Sequence, residues 1–119
     1  MGVTSVTLKI KNPERPADYV EGEFLVDTGA HYTVIPKTMV KKLGLKQSFV
    51  QKFSLADGRI MKRKIGAATI KYKNMELPAP VVIGEKEDSA LLGVTTLEAF
   101  GLMIDPFSRE IYKSKLMLA

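Results

Sequence analysis

The sequence predicts an all-β domain carrying two short α-helices, on three observations. Val6, Leu8 and Ile10 alternate with Thr7, Lys9 and Lys11, the period-2 pattern of a strand with one buried face. Asp57-Gly58 stands between two apolar runs, the signature of a tight hairpin. Two short segments carry helical spacing, and both close on Gly-Leu, at Gly44-Leu45 and Gly101-Leu102.

After the first strand, Pro13 and Pro16 predict a loop from Asn12 to Ala17. A second strand, about Tyr19 to Val26, runs into the break Asp27-Thr28-Gly29-Ala30, and Tyr32 to Ile35 leaves it. The chain thus enters, turns sharply and leaves with a carboxylate at the turn. Asp27 is either a turn residue bonding its own backbone or a partly desolvated carboxylate held for chemistry. Pro36 suits the first turn of a helix with Met39, Val40 and Leu43 on one face and Gly44 as its C-cap.

From Phe49 to Arg63 strands return around Ala56-Asp57-Gly58-Arg59. A two-residue turn with positive φ at both centres pairs Ala56 with Arg59 and Leu55 with Ile60. Leu55, Ile60 and Met61 make the tip apolar for a solvated loop, so it covers something or packs as an ordinary surface hairpin. Ile65 to Tyr72 and Met75 to Ile83 are strands joined near Lys73-Asn74, and Pro78 and Pro80 point to an edge or irregular start of the second.

Beyond the charged loop Glu85-Lys86-Glu87-Asp88, Ala90-Leu91-Leu92-Gly93 is a short buried strand. Thr95 and Glu98 form a capping box for a helix ending at Phe100-Gly101. Leu102 to Asp105, a turn at Pro106 to Arg109, and Ile111 to Leu118 make a final hairpin. Ile111, Leu116 and Leu118 do not share one strand face, which implies a bulge or burial on both faces. The second half echoes the first, strand, Gly-containing turn and helix, without a second carboxylate.

At 119 residues the chain has room for a single domain spanning 1–119, with its own core but no second lobe. Hydrophobic content of 45% and charged content of 26% describe a soluble globular protein, and no apolar run is long enough to span a membrane. Met1-Gly2-Val3-Thr4-Ser5-Val6 has neither the basic start nor the apolar centre of a leader, and Val6 stands where a myristoylation signal needs Ser or Thr. A cytoplasmic location is the default expectation. With no cysteine, disulfides, thiol nucleophiles and thiolate metal sites are excluded.

The net charge of +5 raises nucleic acid as a partner. Lys71 and Lys73, like Lys113 and Lys115, alternate as on a wet strand face, and Lys41 and Lys42 end a helix. The one run, Lys62-Arg63-Lys64, lacks interleaved aromatics to stack on bases. Solvated faces account for this charge, and no nucleic-acid partner is expected.

Phe24-Leu25-Val26-Asp27-Thr28-Gly29-Ala30, followed by an apolar strand and, far downstream, by Ala90-Leu91-Leu92-Gly93 before a short helix, resembles the retroviral-like, single-domain branch of the aspartic proteases. The resemblance spans about Phe24 to Asp105. It implies a closed β-barrel or sandwich, a hairpin over Leu55, Ala56, Asp57, Gly58, Arg59 and Ile60 serving as a flap over bound peptide, and an active site shared by two copies of the chain. In that family two adjacent carboxylates sharing one proton serve as base and acid in peptide hydrolysis, and no cofactor or metal is involved.

Asp-Thr-Gly occurs once, so a second carboxylate must come from another copy, which a two-fold axis supplies. By the resemblance, Asp27 is catalytic, Thr28 braces the paired loops across the axis, and Gly29 permits the turn. Ala30 and His31 join the hairpin residues in binding substrate, with apolar walls near Val34, Ile35, Leu55, Ile60 and Val82. His31, the only histidine, lines a subsite and feels the paired charge, or is an exposed strand-start residue without a role. Two rivals to a homodimeric endopeptidase are a peptide-binding module of the same fold that does not cleave, and a nucleic-acid binder.

Overall fold

The structure, a computed structural model, describes residues 4–116 and 118. Met1, Gly2 and Val3, read above for leader signals, and Met117, within the last expected strand, lie outside the described residues. Among the described residues nine strands and two short helices follow in the order β1 (Ser5–Asn12), β2 (Arg15–Val26), β3 (Thr33–Ile35), α1 (Lys37–Leu43), β4 (Gln47–Ser54), β5 (Ile60–Tyr72), β6 (Met75–Ile83), β7 (Leu91–Leu92), α2 (Val94–Ala99), β8 (Leu102–Ile104) and β9 (Ile111–Lys113).

Seven strands form one sheet in the order β1-β2-β7-β3-β6-β5-β4, and β1 also pairs with β5. The path of pairings therefore returns to its start, through Lys9↔Lys71, Ile10↔Ile70 and Lys11↔Thr69. The all-β fold with two short helices is as the sequence predicts. Inside lie Leu8, Ile10, Phe24, Ile35, Ile70 and Val81, each fully buried, with Leu43 and Leu97 packed on from the two helices. Each such side chain contributes about 1.5–3 kcal/mol of transfer free energy, which is what holds a curved sheet around so short a chain. Outside, the lysines stand in mixed rows. Glu21, Lys9, Lys71 and Glu76 are successive neighbours across four strands, and Lys11 bridges Glu76 at 2.7 Å.

Several boundaries differ from the sequence reading. The first loop shrinks to Pro13-Glu14, and Pro16 lies in the exposed start of β2. Asn12 shortens it: its Oδ1 accepts the Glu14 N–H at 2.8 Å, while its Nδ2 donates to the Leu43 carbonyl at 2.8 Å and so closes the end of α1. Helix α1 ends as expected, with Gly44 left-handed at φ 64 and its N–H on the Val40 carbonyl. Pro78 and Pro80 sit where β6 has β5 on one side only, since β3 joins it from Val81 onward.

The Thr95–Glu98 capping box does not form. Gly93 is the N-cap of α2, and the Thr95 hydroxyl is taken by the His31 carbonyl instead. The last strand stops at Lys113, with Leu116 and Leu118 exposed, so the mismatched apolar pattern needs neither a bulge nor burial on both faces.

The hairpin register is shifted by one residue. Ser54 faces Ile60, the Leu55 N–H donates to the Arg59 carbonyl at 2.8 Å, and the Gly58 N–H to the Leu55 carbonyl at 2.9 Å. Of the turn residues only Gly58 has positive φ, at 89. The loop thus has three residues, a turn followed by a left-handed glycine, rather than the two-residue form. Asp57 accounts for this: its carboxylate accepts the Arg59 N–H at 3.0 Å and the Arg59 Nε–H at 2.6 Å, bonds made with Asp57 outside the positive-φ region that the two-residue turn requires.

Candidate active site

Asp27 emerges where β2 leaves the sheet. Its N–H donates to the Leu92 carbonyl at 3.0 Å, continuing the parallel pairing Leu25↔Leu91 and Val26↔Leu92. On the other edge of β2, Val26 donates to the Thr4 carbonyl at 2.8 Å. The carboxylate Oδ1 accepts the Gly29 N–H at 2.8 Å, and the Ala30 N–H closes the turn on the Asp27 carbonyl at 3.1 Å. A Cβ at Gly29 would stand 3.1 Å from that same Oδ1, so a bare glycine lets the loop wrap its carboxylate closely. Asp27 is half-buried. The exposed Thr28 has no side-chain hydrogen bond among the described residues.

The far side of the loop rests on α2. Val94 and Thr95 donate their N–H groups to the carbonyls of Ala30 and His31, each at 2.9 Å, and the Thr95 hydroxyl adds a 2.7 Å bond to His31. These first-turn N–H groups have no partner inside a helix, and here they fix the loop instead. Beneath them, the buried Thr33 hydroxyl accepts the Gly93 N–H at 3.0 Å and lies 2.6 Å from the Thr96 hydroxyl. The sequence echo between halves has a physical use: strand and helix of the second half carry the turn of the first.

Beside this loop opens a cleft of about 640 Å³. Its floor includes Leu25, Val34, Val82 and Leu91, and its cover comes from the β4–β5 arm with Phe53, Leu55 and Met61. Tyr32 packs edge-on against both His31, at 4.7 Å between ring centres, and Phe53, at 6.2 Å, linking loop to arm. The arm is a ribbon of two strands. From Ser54↔Ile60 to Gln51↔Arg63, β5 has only β4 beside it, and β6 joins at Lys64↔Ile83.

The structure brings Gly29, Ala30, His31 and Leu55 to one cleft, with Asp27 attached to it through Gly29. Ala56, Asp57, Gly58, Arg59 and Ile60 do not line it; they form the solvent-facing tip of the arm, and Ile60 is 67% exposed. Of the expected walls, Ile35 is absent because strand alternation turns it into the core opposite Val34.

Sequence reasoning missed Tyr32, Phe53, Arg63 and Asp88. Arg63 belongs to the run read as solvated, yet it alone of the three faces inward, because Lys62 and Lys64 alternate to the other face. Its Nε and Nη2 grip the two Asp88 oxygens at 2.6 and 2.9 Å. That side-chain bond holds the Asp88 carboxyl below the usual carboxylate range and raises Arg63.

A family model described as "gag-polyprotein putative aspartyl protease" matches residues 18–99. Among solved structures, the chain is similar to EIAV protease complexed with the inhibitor HBY-793, with a TM-score of 0.59 and 18% identity, over 98% of this chain and 94% of that one. It is also similar to simian foamy virus (mac) protease, with a TM-score of 0.52 and 15% identity, over 79% and 93% of the two chains. A retropepsin-like aspartic protease from Rickettsia conorii matches at 26% identity over 87% and 95%, with a TM-score of 0.44. No curated protein matches the chain in sequence. The fold is that of the retropepsins, and with the family model covering the loop, arm and second-half helix, the chain belongs to the gag-polyprotein aspartyl protease family.

Proposed function

We propose that two copies of this chain form an aspartic endopeptidase, with the two Asp27 carboxylates meeting at a two-fold axis. The observation that carries this reading is the placement of Asp27: a carboxylate on a loop pinned by β7 and α2, adjoining an apolar cleft roofed by a two-stranded arm. One such loop supplies one carboxylate, and closed two-fold assembly brings the same residue from each copy to the axis. The exposed Thr28 hydroxyl is available to brace the two loops there.

Extended peptide lies along the cleft with its backbone bonded as an added strand and apolar side chains against Val34, Val82, Leu91 and Phe53. The like charges of two carboxylates in contact push their proton affinities apart, so the pair holds one proton, as is established for aspartic proteases in general. The ionised carboxylate takes a proton from water as the water oxygen attacks the scissile carbonyl carbon, and the protonated one gives its proton to the carbonyl oxygen. At collapse the protonated carboxyl gives its proton to the amide nitrogen, the C–N bond breaks, and a hydroxyl of the tetrahedral intermediate returns a proton to the other carboxylate, so the pair again holds one.

Asp27→Asn should abolish cleavage of a denatured protein mixture while leaving mass in solution at that of a dimer. Mixed and re-equilibrated in equal amounts with wild type, it should leave about one quarter of the chains in intact pairs, so activity per added wild-type chain falls about twofold. Undiminished cleavage by Asp27→Asn, or an active species that is monomeric, would sink the reading.

A further inference from the structure

Arg63 stands at the root of the β4–β5 arm. From Lys64 to Gly66 β5 lies between β4 and β6, while from Arg63 to the tip it has β4 alone. A ribbon of two strands is only marginally stable by itself in water, so the angle at which it leaves the sheet is decided where the third strand ends. At that residue the chain has built a fork. Arg63 holds Asp88 through two bonds, and its Nη1 donates to the Lys62 carbonyl at 2.9 Å.

Asp88 is itself fixed. Its N–H donates to the Glu85 carbonyl at 3.0 Å and its Oδ2 accepts the Glu85 N–H at 2.8 Å, making residues 85–88 a closed turn. The two side chains are only 18% and 21% exposed, and both line the cleft, on the wall shared with Met61 and Ser89. An exposed ion pair would contribute little, but a bidentate one shielded from water is directional as well as attractive.

We propose that Arg63 and Asp88 are positioning residues that set the closed angle of the β4–β5 arm and tie it to the turn 85–88, so that roof and side wall of the cleft move as one body when extended peptide enters. This inference rests on the peptide-cleaving reading of the cleft but concerns a different part of it. Asp27 hangs from β2, β7 and α2, none of which touches the fork through the bonds described, so loosening the arm weakens peptide binding while the carboxylates stay in place. The fork also requires arginine: lysine brings a point charge and one bond where the guanidinium brings a planar pair.

Amide hydrogen exchange read residue by residue tests this on the intact protein. In Arg63→Gln and Asp88→Asn, amides of residues 51–63 and 85–88 should exchange about tenfold faster or more, the factor expected when a charged, bidentate contact is lost. Amides of the β1–β2 pairing should keep their wild-type rates, which also shows that the variants fold. Arg63→Lys should fall between, and the exchanged pair Arg63→Asp with Asp88→Arg should return toward wild type. In cleavage assays KM should rise about tenfold, with kcat within about twofold of wild type.

Unchanged exchange in the arm would overturn the proposal, as would acceleration spread evenly over the whole molecule, which marks a general stabilising contact. A fall in kcat at constant KM would overturn it too. If wild type cleaves nothing, the endopeptidase reading fails, and the exchange data still decide whether the fork holds the arm.

Discussion

The Thr33–Thr96 hydroxyl pair beneath the Asp27 loop gives a stability prediction whose sign pattern is unusual. Thr33 is fully buried, and its hydroxyl serves two groups: it accepts the Gly93 N–H at 3.0 Å and is hydrogen-bonded to the Thr96 hydroxyl at 2.6 Å. Thr33→Val keeps the branched shape and leaves both groups buried without partners. At about 1–2 kcal/mol for each orphaned group, the expected loss is about 2–4 kcal/mol. Thr96→Val orphans only one side of Thr33, which keeps Gly93, and should cost about 1 kcal/mol. In the double variant the two valines pack on each other and only the Gly93 N–H stays unsatisfied, so the double variant should be more stable than Thr33→Val alone. Denaturant unfolding of the four proteins, with equal m-values as the check on comparability, reads these differences directly. A Thr33→Val protein within about 0.5 kcal/mol of wild type, or a double variant less stable than Thr33→Val, would refute the assignment of this pair as the support under α2.

Other perturbations probe separate parts of the frame. A Cβ added at Gly93 would lie 2.4 Å from the Tyr32 carbonyl carbon and oxygen, which are backbone and cannot swing aside, so Gly93→Ala should cost at least about 1–3 kcal/mol and lower the thermal midpoint by several degrees. Because the Arg63 bond lowers the Asp88 pKa in the folded protein, Asp88 contributes stability that is present above its unfolded value and is lost as pH falls through the folded one. Asp88→Asn should therefore be about 1–2 kcal/mol less stable than wild type at neutral pH, and the difference should close in acid below the carboxylate range. Glu85 and Glu87 lie beside the pair, so thermal melts of both proteins across pH at two salt concentrations separate the fork from that background; a constant difference at all pH values would contradict it.

Features carried by neighbours in the chain were legible from the sequence: alternation in β1, the left-handed glycine after α1, and the sharp turn at Asp27. Features decided by competition for one group were not. Asp57 satisfies itself on Arg59 and so changes the hairpin register, and the Thr95 hydroxyl finds His31 before Glu98 matters. The Arg63–Asp88 fork joins residues from a basic run and an acidic loop, each of which reads as solvated by itself. Strand alternation through Lys62-Arg63-Lys64 was the available signal, since one of three successive strand residues must face opposite to the other two. Within the cleft, Tyr32 ends the Asp27 loop and Phe53 lies in β4, and only their contact across the fold makes them one wall.

The parallel pairings that bracket the Asp27 loop bear on the order in which the molecule is built. β1–β2 and β5–β6 join neighbours in sequence and close short loops, whereas β2–β7 and β3–β6 join the first third of the chain to its later part. Closing a long loop must precede any gain from such contacts, which makes them slow to form. On a ribosome the loop would have no seat until Leu92 and the first turn of α2 had been synthesised and released, so a nascent chain carries Asp27 well before it carries a site. The Leu92 carbonyl and the first-turn N–H groups of α2 are the last parts of the loop's support to arrive, so its geometry is a late product of folding.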